Sequence, residues 1–213
     1  MNNSVINKKE ILLKEAFILF LDRGFEGVSV DDIVEATNKE HEISISKSLA
    51  YHYFKNKNQF FKDAVDKYIF DPLADRPMIS EKLADESQPL KTFLQIYLNR
   101  IRDRMQSALD GEGRIQLSSR NYFRIFISLK DHYPEVEEKL MEYEIHENNL
   151  WITILSMALR ANEIKRDTDV QQMAFLFIHV YYGVSFKQSL HEGLTVKDLE
   201  KQWMWLYDHI KVK

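Results

Sequence analysis

The chain has 213 residues, a net charge of −4 and no cysteine. That length buries a real core and leaves room for one large domain or two small ones. The missing thiols exclude a disulfide framework and thiolate chemistry, and suit a reducing compartment. The charge excludes a generic basic nucleic-acid coat, though a DNA reader with its positive charge gathered on one face remains compatible.

Glycine (6) and proline (4) are scarce and apolar residues recur at helical spacing nearly throughout, so the sequence predicts an all-α fold of about nine helices. The N-terminus has no apolar signal core, and no apolar run approaches the roughly 18 residues of a membrane span. A soluble cytoplasmic protein without a membrane partner is expected.

A first helix is predicted from about Asn7 to Arg23, with Leu13, Ala16, Phe17 and Phe20 as its buried stripe and Gly24 as a left-handed stop. Ser29 and Asp32 have capping-box spacing and start a short second helix, about Val30 to Thr37. A third spans about Ser46 to Tyr53, with Ser46 as N-cap. Two short helices after a longer one make a three-helix unit ending in a helix-turn-helix. Charge sets the third helix apart. From Ser44 to Lys62 there are four lysines and no acid, whereas Glu26 to Glu42 holds six acids against Lys39 alone. A helix that breaks an acidic surface with cations, hydroxyls and amide donors suits a phosphate-lined groove, although such charge runs are also found on plain solvated faces.

The blocks Ala16-Phe17 with Leu19-Phe20, Arg23-Gly24-Phe25-Glu26-Gly27, Ser29-Val30-Asp31-Asp32-Ile33, Ile45-Ser46-Lys47-Ser48, Tyr51-His52-Tyr53-Phe54 and Lys55-Asn56-Lys57 fall in register with one known pattern. Over about Ile11 to Val65 the sequence resembles the DNA-binding domain of the tetracycline-repressor (TetR) family of bacterial regulators. It departs from that family in two places. Lys39 to Ser44 lengthens the usually tight turn before the third helix by roughly six residues, so either the second helix gains a turn or the connection loops out. Ala50 stands where a larger aliphatic is usual, which leaves Leu49 or Ile45 to fill the core beneath.

The fourth helix, about Asn58 to Phe70, buries Phe60, Phe61, Ala64, Val65 and Tyr68. Asp71 to Pro89 is proline-rich and polar, a boundary region, and Pro89 can open the fifth helix, to about Ala108. Gly111-Glu112-Gly113 is no nucleotide fingerprint, because Gln116 replaces the third glycine. Further helices are predicted over about Ile115–His132, Pro134–Ala161, Val170–Leu190 and a ninth capped by Thr195 with Asp198. Asn162 is the expected stop of the seventh helix, and Asp167 or Asp169 the cap of the eighth. The eighth is apolar nearly all the way round, and the ninth carries an a/d-like seam of Leu199, Trp203, Leu206 and Ile210. Either these helices build a dimeric four-helix bundle, with Phe175, Tyr182, Phe186, Leu199, Trp203, Leu206 and Ile210 at the interface, or their aromatics fill one core.

A DNA-binding domain over residues 1–57 and a helical ligand-binding and dimerisation domain over 58–213 follow from this division. Ser46, Lys47 and Ser48 lie at the end of the third helix that enters a groove first, Leu49 can touch a thymine methyl, and His52 can reach a base edge. Ser29 joins them at the start of the second helix. The resemblance implies phosphate contacts for Lys57, and phosphate contact or packing for Tyr51 and Tyr53. It also implies a homodimer and release from DNA by a small-molecule effector. In the body Tyr97, Arg104, Tyr122, Phe126, His146, Trp151, His179 and Tyr182 combine aromatic bodies with polar tips, as effector pockets do, though such stripes are more often core.

Enzymatic chemistry finds no foothold. The Glu-x-x-His pairs of di-iron bundles, a His-Glu-x-x-His zinc helix and cysteine clusters are all missing from the sequence, so no catalytic residue, metal site or cofactor is assigned. The expected function is a sequence-specific double-stranded DNA-binding transcription regulator, a ligand-responsive repressor acting as a homodimer on a near-palindromic operator. The alternative is a helical interaction module without specific DNA binding.

Overall fold

The computed structural model describes residues 7–71, 82–106 and 118–212, the side chains of 104–106 excepted. Its described residues form nine helices and no strand: α1 (Lys8–Arg23), α2 (Val30–Glu40), α3 (Lys47–Tyr53), α4 (Lys57–Val65), α5 (Pro89–Gln106), α6 (Ser119–His132), α7 (Val136–Arg160), α8 (Val170–Ser189) and α9 (Val196–Ile210). A π-helical turn, Asp66–Phe70, follows α4 directly. The glycine-rich stretch at 111–113, Gln116 and the expected start of α6 at Ile115 lie outside the described residues.

By contact the chain divides into two compact units, residues 1–75 with 124–139, and 76–123 with 140–213. In the first, α1 buries an almost continuous run from Leu12 to Leu21 because it is covered on several sides by α2, α3 and α4. Gly24 has φ +76°, which an L side chain resists, and there the chain turns so that Phe25 folds back against Phe20 and Phe61. The C-terminal half of α6 also belongs to this unit. Arg124 donates to the carbonyls of Leu21 and Asp22 at the open end of α1. His132 stacks on Phe25 with ring centroids 3.6 Å apart.

The second unit is centred on Phe93 and Tyr97 of α5, Trp151 of α7, Phe177 of α8 and Trp203 of α9. Trp203 donates from Nε1 to the Phe177 carbonyl at 2.9 Å, which places the indole nitrogen without a buried orphan. Buried Glu163 accepts from the backbone N–H groups of Leu90 and Lys91, both at 2.9 Å, at the positive end of α5. Just beyond α9, Val212 donates its amide to the Glu163 carbonyl, and Ile164 pairs with Lys211 in an isolated bridge.

Most helix ends follow local chemistry. Asn7, Ser46, Asn56 and Asp169 cap their helices through the side chain, and Asn162 takes φ +56°. Thr195 sits at the N-cap of α9 but makes no capping bond. Gln188 holds the start of this helix in another way: its Oε1 accepts from the Thr195 amide at 2.6 Å, and its Nε2 donates to the Asp198 carboxylate at 2.7 Å.

Ser29 and Asp32 form the full capping box of α2, with the Ser29 hydroxyl 3.1 Å from the Asp32 amide and the Asp32 carboxylate 2.7 Å from the Ser29 amide. Hydrogen bonds from Ser29 hold the Asp32 carboxyl below its ordinary value of 3.8. The contribution of that lowered group is therefore complete above pH 3.8 and is lost as pH falls through the folded value. Ser29→Ala should cost about 1 kcal/mol. In a chain of this size that lowers the melting temperature by roughly 2–4 °C. A melt unchanged at neutral pH would mean that the box contributes nothing.

Candidate nucleic-acid interface and effector site

The seven residues of α3 divide cleanly. Ala50 and, just past the helix, Phe54 are fully buried, while Ser46, Lys47, Ser48, Tyr51 and His52 are exposed. Phe54 stacks on Phe60 at 3.9 Å, so the helix is seated on an aromatic pair. Of the two residues expected to fill the core beneath the small Ala50, Ile45 is buried and Leu49 only partly so. Tyr53 is half-buried against Phe54 and His52.

The lengthened connection resolves into both of its expected forms. α2 runs on to Glu40, about one turn beyond its predicted end, and residues 41–46 then loop to α3. The loop is clamped twice. The Asn38 side chain accepts from the Ile45 amide at 2.6 Å and donates to the Ile45 carbonyl at 2.9 Å, as a strand partner would. His41 Nε2 lies 2.9 Å from Oε1 of Glu15, whose side chain is only 2% exposed within α1. Glu42 takes φ +49° between the clamps.

Two lysines of this face already have partners. Lys47 pairs with Asp31 of α2 at 2.7 Å, which raises the lysine above its ordinary value. Both side chains are exposed, so the pair is worth little and can be exchanged for a phosphate. Lys57 donates to the Phe25 carbonyl at 3.0 Å with its ammonium 4.0 Å above the Phe25 ring. An ammonium has three donors, so this contact orients Lys57 without exhausting it. Ser29, Tyr51, Asn56 and Lys57 line one open groove together with the carboxylates of Glu26 and Asp32. The N-termini of α2 and α4 border this groove, and such ends favour anions.

In the second unit the expected effector residues scatter. Tyr97 and Trp151 are buried in the aromatic core, Tyr182 is 37% exposed, and Tyr122 is half-buried. His146 is exposed, as is His179, which stacks on Phe175 at 3.7 Å and therefore belongs to the surface of α8. Phe126 falls in the first unit, and the Arg104 side chain lies outside the described residues. Sequence reasoning missed Glu147, a buried carboxylate of α7 that accepts from the hydroxyls of Tyr97 at 3.1 Å and Tyr182 at 3.0 Å. Burial, with Tyr143 and Glu147 alongside, pushes the Tyr182 hydroxyl far above an ordinary phenol.

The expected interface residues also separate. A single chain already covers Leu199, Trp203 and Leu206, which pack into its own core and leave almost no surface for a second copy. Phe175, Tyr182 and Phe186 instead form an exposed stripe along α8, with Leu190 exposed just past its end, Trp205 exposed on α9 and Ile210 half-buried. The apolar circumference of α8 thus has one inward and one outward side.

Residues 12–64 match the family model of the bacterial regulatory proteins, tetR family. No curated protein matches the chain. Among solved structures it is similar to the reduced form of NemR from E. coli, at 15% identity and a TM-score of 0.67, covering 96% of this chain and 97% of that one. It is also similar to a protein from Saccharomonospora viridis solved in complex with choline, at 13% identity and a TM-score of 0.71, covering 96% and 98%. A third is SmeT, the repressor of a Stenotrophomonas maltophilia multidrug efflux pump, at 11% identity and a TM-score of 0.66, covering 98% and 92%.

Proposed function

We propose that this chain, whose residues 12–64 match the family model of the bacterial regulatory proteins, tetR family, is a member of that family: a sequence-specific double-stranded DNA-binding repressor that acts as a homodimer and is released by a small-molecule effector. The observation that carries the reading is α3. Its outer face offers Ser46, Lys47, Ser48, Tyr51 and His52 to solvent, while its inner face is locked into the aromatic core. Hydroxyls, an imidazole and a loosely paired lysine on a rigid short helix suit base edges and phosphates in a major groove. Two copies would set two such helices about one duplex turn apart and so call for a near-palindromic operator. Exposed Phe175 and Phe186 of α8, together with Trp205 of α9, are the surface we assign to that second copy. A monomer mass by light scattering at micromolar concentration would remove the dimer.

An effector releases DNA only through a difference in affinity for two conformations. The repressor role of SmeT and the choline bound to the S. viridis protein are support by similarity for repression and for a small ligand.

The decisive experiment is fluorescence anisotropy of the purified protein with duplex from upstream of its own gene, across a salt series and with scrambled duplex as competitor. Binding that resists competitor and weakens steeply with salt is expected. Failure to bind any duplex at low salt would favour the interaction module. Lys57→Ala should weaken all duplexes about uniformly and lower the salt slope by about one. An unchanged slope would take Lys57 out of the interface.

A further inference from the structure

Two buried polar groups in the second unit lack what their chemistry asks for. Glu147 is 3% exposed, its acceptor bonds go to two neutral hydroxyls, and among the described residues no lysine, arginine or histidine pairs with it. A carboxylate has about four lone-pair sites, and burying one without a counter-charge is expensive. Glu163, the other buried acid of this unit, shows the contrast, since two backbone amides at the N-terminus of α5 answer its charge. The second group is Ser185, one turn beyond Tyr182 on α8, which is 2% exposed with a hydroxyl that has no partner among the described residues. Helical serines usually bond back to a carbonyl of the preceding turn, and this one does not.

The surroundings select the missing charge. Around Tyr97, the rings of Trp203, Trp151 and Tyr181 lie at centroid distances of 5.4, 5.9 and 6.2 Å. Indole and phenol faces attract a desolvated cation. A hard divalent ion needs six or more oxygens, or keeps its water, and one carboxylate among aromatic rings offers neither. An organic ammonium uses both the carboxylate and the rings. Tyr182 is 37% exposed while its hydroxyl bonds Glu147, so the cluster reaches the surface.

We propose that Glu147 is the charge-bearing centre of an effector site for a small organic ammonium cation, steadied by the Tyr97 and Tyr182 hydroxyls, with Ser185 meeting a polar group of the ligand one helical turn away. This names the ligand class of the effector reading above and rests on it.

The test uses the full chain without DNA. Intrinsic tryptophan fluorescence and thermal shift are titrated at constant ionic strength with choline, tetraethylammonium and benzyltrimethylammonium, and with 3,3-dimethylbutan-1-ol as the neutral isostere of choline. At least one cation should give a saturable response, and choline, if it binds, should bind at least tenfold tighter than its isostere. Glu147→Gln should lose at least tenfold in cation affinity while leaving the response to the neutral alcohol unchanged. No response to any cation at millimolar concentration, equal affinity of choline and the alcohol, or an unchanged Glu147→Gln protein would each overturn the proposal. If Glu147→Gln does not fold, Tyr182→Phe takes its place with the same criterion, and the charge comparison on the parent protein stands by itself. Operator affinity is measured separately. Operator binding without a cation response removes this site alone, whereas cation binding by a protein that binds no operator keeps the site and removes the regulator.

Discussion

Trp203→Ala should destabilise the folded chain by about 3–5 kcal/mol, the range for removing a large aromatic from a core. Trp203 has no exposed surface, packs edge-on against Tyr97 and Trp151 at 5.4 and 5.3 Å, and loses with its ring the bond to the Phe177 carbonyl. That carbonyl lies inside α8 and keeps its helical partner, so the cavity dominates the cost. Trp205, two residues away, is 58% exposed. Trp205→Ala should leave unfolding of the isolated chain within about 0.5 kcal/mol. Its effect should instead appear as weaker dimerisation. Urea denaturation at two protein concentrations separates the cases, because a loss at the interface depends on concentration and a loss in the core does not. Similar losses for both variants would remove the inward and outward assignment of α9.

Asn38→Ala should reduce operator affinity at least tenfold, about 1.4 kcal/mol. The unfolding cost should be about 1–3 kcal/mol, since the Ile45 amide is left without its acceptor in a buried position. Ile45 immediately precedes the N-cap of α3, and the Asn38 clamp fixes both its amide and its carbonyl, so freeing it lets the entry of the helix drift. Asn38→Asp keeps the acceptor and loses the donor, and should fall between the two proteins. Anisotropy titrations at one salt concentration measure this. An Asn38→Ala protein with a lowered melt but parental operator affinity would show that the clamp serves stability only.

Much of the helical frame was legible because its signals are local. The Ser29–Asp32 box, the stop at Gly24, Pro89 at the head of α5 and the caps at Ser46 and Asp169 are each set by residues within a turn of one another. Contacts between distant segments were not. Nothing near Asn38 announces Ile45 as its partner, and nothing near His41 announces Glu15. The seam of α9 was visible as a period, but a period shows only that a face is covered and not by which molecule. Trp151, Phe177 and Tyr97 of the same chain cover it. Glu147 escaped for a related reason. It belongs to a helix rich in acids, among them Glu137, Glu138, Glu142 and Glu144, and only burial sets it apart.

The π-helical turn at Asp66–Phe70 also bears on how this chain aligns with the proteins it resembles. A widened turn of this kind acts as a phase slip: one surplus residue is absorbed with the helix axis unbroken, and every later side chain is rotated from where an uninterrupted helix would carry it. The family match ends at residue 64, two positions before the slip begins. Against a protein whose helix runs uninterrupted through this turn, a gapless alignment carried past Val65 would therefore pair inward-facing positions with sideways ones. Residues beyond it are better matched by the face they occupy than by their count from the N-terminus.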